Sequence, residues 1–153
     1  MSGEPEPRFV VEPSPDHPGW LSMRVNRPDL FNSTVIGTMA GRIEGHAARI
    51  RCFPRPELRN VMGAIHGGAI LGFADVAMSA GARLLTDMHS VSGLTLDLST
   101  QFISPGRIDL PLDAVVEVLR ETGRLIFLRG LLEQDGTVVA AFNGTMRKPS
   151  QHA

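Results

Sequence analysis

The chain has 153 residues, of which 15 are Lys or Arg and 16 Asp or Glu, giving a formal net charge of −1, with 42% apolar residues and one cysteine. That length holds one domain with its own core and is too short for two comfortable ones. Balanced charge without a Lys/Arg block argues against nucleic acid and against electrostatic attachment to a membrane, and a lone Cys52 excludes an intrachain disulfide and any multi-cysteine zinc site.

In chain order, residues 1–30 come first, with Pro5, Pro7, Pro13, Pro15, Pro18 and Pro28, a density that discourages helix or central strand. We expect a proline-rich segment there, its first dozen residues a mobile tail and Trp20 packing over the core or a dimer edge. The start is acidic and has no long apolar run, so no signal peptide is expected, nor any uninterrupted apolar stretch of about 18 residues to span a membrane; the expected location is cytoplasmic. Residues 31–44 and 46–53 read as two strands meeting at Gly45, with Cys52 an inert buried thiol. Pro54 and Pro56 stop the second strand and lead to the loop at Asn60.

A helix then starts between residues 65 and 67, and four strands follow it. Residues 91–103 alternate imperfectly and end at the turn Ser104-Pro105-Gly106. Residues 108–120 and 124–133 flank the turn Glu121-Thr122-Gly123, and Asp135-Gly136 closes a hairpin with residues 137–147. Strands around one helix, without strictly alternating βαβ units, predict an antiparallel α+β domain over residues 31–148 and a short tail at 149–153, other helix-on-sheet arrangements remaining open at this level. The five histidines show neither an i, i+4 helical pair nor an H-E-x-x-H motif, so no metal is expected.

The helix carries the chemistry. From Gly67 to Ala82 its only formal charge is Asp75. A helix small and apolar on every side is expected to be enclosed by other structure, where an unpartnered carboxylate is costly. At its entrance, His66-Gly67-Gly68 places two residues without Cβ where the first amides lack intrahelical partners and the positive end of the dipole lies. Such an end can hold a carbonyl oxygen as it becomes an oxyanion. Gly67 and Asp75 are separated by eight residues, roughly 12 Å along the axis, so one helix cannot bring both to a single carbonyl carbon. Two antiparallel copies about a twofold axis can, which predicts an obligate dimer with two shared sites.

Asn60, Gly63, His66, Gly67, Gly68 and Asp75 form the pattern N-x-x-G-x-x-H-G-G-x6-D, and with it the chain resembles, over about residues 32–148, the hotdog-fold acyl-CoA thioesterases of the phenylacetate-pathway (PaaI-like) type. The resemblance implies a long helix wrapped by an antiparallel sheet, and protomers paired as homodimers or as dimers of dimers. It implies Asp75 as nucleophile or general base, the Gly67 amide as oxyanion donor, Asn60 positioning the attacking water or the thioester, and His66 shaping the helix entrance. Ser79, one turn after the acid, and Thr95, near the start of the next strand, match hydroxyl positions of the family.

Acyl-CoA brings phosphates that need cations or free amides. With Gly68 at the helix entrance, the expected binding residues are Ser104, Pro105, Gly106 and Arg107 at one turn, and Arg120 and Arg124 around the next hairpin. Leu71, Phe73 and Met78 are expected to line the acyl end. No cofactor beyond the CoA part of the substrate is expected. The alternatives are a non-hydrolytic acyl-CoA binder or an enoyl-CoA hydratase on the same fold, and a purely structural dimerisation domain. No second carboxylate or histidine in the helix partners Asp75 as a hydratase would require, and no G-x-S-x-G elbow supports a serine nucleophile.

Overall fold

The computed structural model describes residues 8–88 and 93–149. Expectations for the first seven residues, for His89 and the strand start at Val91, and for the tail from residue 150 with His152 lie outside the described residues. The described chain folds as four strands, a long helix and four more strands: β1 (Phe9–Pro13), β2 (Leu21–Val25), β3 (Met39–Glu44), β4 (Ala47–Cys52), α1 (Gly67–Leu85), β5 (Leu94–Phe102), β6 (Leu112–Glu121), β7 (Leu125–Gln134) and β8 (Thr137–Arg147). All eight strands join one antiparallel sheet in the order β1-β2-β3-β4-β6-β7-β8-β5.

Two expectations for the N-terminal part are corrected. Residues 9–13 and 21–25 are strands, paired from Phe9 with Val25 to Pro13 with Leu21, so the domain boundary expected at residue 31 falls inside the sheet. Pro13 ends an edge strand, a place where a missing N–H costs no ladder bond. The strand expected over 31–44 begins only at Met39, because Asn32–Ile36 form a π-type turn closed by a 2.7 Å bond from the Gly37 N–H to the Asn32 carbonyl. Trp20 is buried and lies under the guanidinium groups of Arg42 and Arg51, 4.2 and 4.7 Å from its ring centre.

The sheet wraps α1 because alternate residues of β4, β6, β7 and β8 point to one side. Ile50, Ala114, Val116, Ile126, Leu128, Leu132, Ala140, Phe142 and Met146 are buried and form one cluster with Ile70, Phe73, Ala74, Ala77 and Met78 of the helix. Small residues set the spacing. A Cβ on Gly81 would stand 2.8 Å from Val116 Cβ, so glycine there lets α1 lie directly on β6. Phe73 and Met78, expected at the acyl end, are core residues facing the sheet.

Enclosure of the helix is incomplete within one chain. Gly68 and Leu71 are exposed and Gly72, Asp75 and Ser79 only half-buried, so a stripe along α1 stays uncovered. Beside it lies β5, the edge strand paired only with β8, with Leu94, Leu96 and Phe102 exposed. Among the described residues α1 alone is long and apolar enough on average to cross a membrane; Asp75 and Arg83 interrupt it, and it is the core helix of this sheet.

Candidate active site

The entrance to α1 sorts the two glycines. His66 has an extended backbone, φ −62° and ψ 137°, and caps the helix with its ring, where Nδ1 accepts a 2.9 Å bond from the Gly68 N–H. The Ala69 and Ile70 N–H groups both donate to the His66 carbonyl, at 2.9 and 3.0 Å. Gly68 therefore has no amide left to offer. The Gly67 N–H has no acceptor among the described residues, and it is the group left open at the positive end of the helix.

Gly67 opens on a cleft of about 350 Å³ lined by Asn60, Ile65, Ile70, Phe102, Ser104, Pro105 and Gly106 among others, so the structure brings together five of the predicted site residues. The loop after β5 is tied to the helix entrance by the Ile65 N–H donating to the Gly106 carbonyl at 2.8 Å. Asn60 Oδ1 accepts from the Met62 and Ala64 N–H groups, at 2.9 and 3.1 Å, which fixes the loop and leaves the side-chain NH2 as the part that can donate to a ligand. Phe102, which the sequence reading did not single out, stands against Gly67. A Cβ placed there would meet its ring at 3.5 Å.

Asp75 lies two helical turns beyond Gly68, on the uncovered stripe, and its Oδ1 accepts a 2.7 Å hydrogen bond from Thr95 Oγ1 on β5. This joins one predicted pair and separates another. Ser79 makes no such bond; it lines a small crevice with Phe9, Asn32 and Arg83 on the β1-β2 side of the helix. The phosphate candidates also divide. Arg107 sits beside the Gly67 end but is engaged by Asp109 through bonds of 3.0 and 2.6 Å, while Gln134, unremarked in the sequence, holds its backbone by accepting from the Arg107 N–H at 2.7 Å and donating to its carbonyl at 2.8 Å. Arg120 and Arg124 are exposed, make no ion pair among the described residues, and lie at the opposite end of the sheet, where Glu121 pairs with Ile126.

Away from the site, Cys52 is buried, and burial reinforced by Asp113 pushes its thiol far above the ordinary range, so it stays protonated and unreactive. Among the described residues no group of three or more His, Cys, Asp or Glu side chains is placed to hold a metal ion.

The architecture has counterparts among solved structures. Mouse (Mus musculus) thioesterase superfamily member 2 aligns at 17% identity over 76% of this chain and 86% of its own, with a TM-score of 0.65. The PaaI protein from the phenylacetic acid degradation operon of E. coli aligns at 15% identity over 80% of this chain and 86% of its own, TM-score 0.67. A hypothetical thioesterase protein from Streptococcus pneumoniae, solved with coenzyme A, aligns at 18% identity over 73% of this chain and 88% of its own, TM-score 0.62. These likenesses define the hotdog fold. No curated protein matches by sequence. The family model of the thioesterase superfamily matches residues 62–141, slightly more than half of the chain and the part that holds α1 and all of the cleft lining but Asn60, and the protein belongs to that superfamily.

Proposed function

We propose that the protein is an acyl-CoA thioesterase that works as a homodimer. The observation that carries the reading is the pairing of one open amide with one held acid on a single helix, too far apart to serve one carbonyl. Among the described residues the Gly67 N–H at the cleft has no acceptor, and Asp75 is fixed by Thr95 two turns away on a stripe that those residues leave uncovered. Antiparallel pairing of two α1 helices covers both stripes and sets each Gly67 against Asp75 of the partner subunit. The exposed apolar side chains of β5 support the same surface as the contact.

In this arrangement the thioester carbonyl oxygen accepts from the Gly67 N–H, with the Asn60 NH2 as a second donor to it or to the attacking water. Asp75 of the partner subunit either attacks the carbonyl carbon to form an anhydride that water then opens, or takes the proton of a water that attacks directly. Either way the C–S bond breaks, CoA leaves as the thiolate and is protonated, and the free acid remains. The coenzyme A held by the Streptococcus pneumoniae neighbour supports the substrate class. Antiparallel pairing reverses one sheet relative to the other, so Arg120 and Arg124 of the partner subunit approach the Gly67 end and are our candidates for the CoA phosphates, Arg107 being held by Asp109.

The test is complementation between two dead variants. Asp75→Asn removes the acid. Gly67→Pro removes the N–H and adds a ring beside Phe102; proline is tolerated at the first helical position, and His66 already has the extended backbone that a residue before proline needs. Each alone should release thiol from acyl-CoA at least about 10²-fold more slowly than the parent. Mixed and re-equilibrated, they should recover about a quarter of the parent rate, from the one intact site in each heterodimer. An active Asp75→Asn homodimer, or a mixture as dead as its components, would refute the shared site. Following enoyl absorbance with an α,β-unsaturated acyl-CoA in the same assay separates hydrolysis from hydration.

A further inference from the structure

We propose that Phe31 is the residue that limits the acyl group, closing the compartment beside Asp75 one helical turn before the acid and restricting substrates to acyl groups only a few carbons long or comparably compact. This inference rests on the thioesterase reading above.

Phe31 is an exposed aromatic ring, 50% accessible, and its position is fixed from two directions. It stands immediately before the π-type turn Asn32–Ile36, a rare backbone form that recurs at functional sites. That turn is strapped down. Arg55 Nη2 donates to the Thr34 carbonyl and, at 2.8 Å, to the Val35 carbonyl, and Ser33 Oγ donates to the Arg27 carbonyl at 2.7 Å. From the other side the ring rests on α1 at Gly72, where an added Cβ would fall 2.9 Å from Phe31 Cζ, so the ring lies in the space that any other residue at position 72 would fill.

Gly72 precedes Asp75 by three residues, roughly 4.5 Å along the helix, and both belong to the uncovered stripe. Leu71, 38% exposed, flanks the same strip of surface, so the surroundings of the acid in this direction are apolar. On the β1-β2 side of the helix, beyond the acid, the crevice beside Ser79 and Val76 has a volume of about 20 Å³, less than a methyl-terminated chain needs. An acyl group whose carbonyl carbon is at Asp75 and that extends towards Gly72 meets the ring. Phe31 is a wall the substrate touches, with no part in the bond-breaking step.

The experiment compares the parent, Phe31→Ala and Gly72→Ala in thiol release from butyryl-, hexanoyl-, decanoyl- and tetradecanoyl-CoA, with circular dichroism and thermal melts confirming that each variant is folded. In Phe31→Ala the ratio of kcat/KM for tetradecanoyl- to butyryl-CoA should rise at least tenfold. In Gly72→Ala, whose Cβ displaces the ring, the same ratio should shift while Asp75 and Thr95 are untouched. A folded, active Phe31→Ala with the parent's chain-length profile would overturn the role of Phe31 and leave the thioesterase reading standing. A folded parent that releases thiol from none of the four esters would overturn that reading and this inference with it.

Discussion

Thr95 Oγ1 donates a 2.7 Å hydrogen bond to Asp75 Oδ1, tying the single acid in the first four turns of the central helix to the edge strand β5 of the sheet. The bond orients a carboxylate that would otherwise rotate freely on a half-covered surface. Thr95→Val keeps the shape and removes the donor. A hydrogen bond to a charged group contributes about 1.5–3 kcal/mol, so thiol release should fall about 10- to 100-fold in kcat with little change in KM, and Thr95→Ser should restore most of it. A Thr95→Val enzyme at parental kcat would show that the orientation of Asp75 is set elsewhere.

The two helical glycines that contact side chains of the sheet should respond oppositely to alanine. At Gly67 the new methyl would meet the Phe102 ring at 3.5 Å, an ordinary contact, and stability should hold or rise slightly. At Gly81 it would stand 2.8 Å from Val116 Cβ. Helix propensity favours alanine by about 1 kcal/mol, but overpacking costs about 1–3 kcal/mol, so the clash wins and Gly81→Ala should unfold at lower urea. Adding Val116→Ala should recover part of the loss, and a double-mutant cycle without coupling would place the damage somewhere other than this contact.

Asp113 holds the outer face of the sheet together. Its side chain is 9% exposed and receives two bonds from Arg51, at 2.6 and 2.8 Å, and one from Arg49 at 3.1 Å. Removing one partner from a nearly buried ion pair leaves uncompensated charge, so Asp113→Ala should cost about 3 kcal/mol in urea unfolding. A loss below about 1 kcal/mol would mean that Arg51 finds Trp20 and solvent sufficient.

The same network predicts the acid limb of stability. Burial alone would raise the Glu44 carboxyl, but hydrogen bonds from Arg49 and Arg42 outweigh it and hold the group below its ordinary value. A carboxylate depressed on folding stabilises the native state fully above its unfolded pKa of about 4.3 and loses that contribution as pH falls through the folded value. Melting temperatures measured from pH 6 down to about pH 3 should therefore drop, and Glu44→Gln should flatten the curve. A parallel curve for that variant would remove Glu44 from the account.

Cys52 supplies a control for every thiol assay. Its buried, protonated sulfur should not react with a disulfide reagent in the native protein, whereas one thiol per chain should appear on denaturation. Rapid labelling of the native protein would show that β4 opens on the timescale of the measurement.

Where the sequence was readable, short-range rules operated. Asp135-Gly136 marked the β7-β8 hairpin, and the strand expected over 137–147 is Thr137–Arg147. The glycine pair after His66 marked the helix start, found at Gly67. Where it was not, pairing partners distant in the chain decided. Proline content argued against β1 and β2, but an edge hairpin can tolerate proline that a central strand cannot. Ser79 and Thr95 looked equivalent as hydroxyls near the acid. Only β5 folding back along α1 gives Thr95 the bond, and the helical turn points Ser79 towards Phe9 and Asn32.

The sequence by itself determined the central helix, its glycine entrance and the eight-residue interval to Asp75, because periodicity, turn chemistry and rise per residue are local properties of the chain. Tertiary structure alone decided which hydroxyl holds the acid and which aromatic ring occupies the space above Gly72. Each of those depends on atoms brought together from elements far apart in sequence, where burial and pairing outweigh local preference.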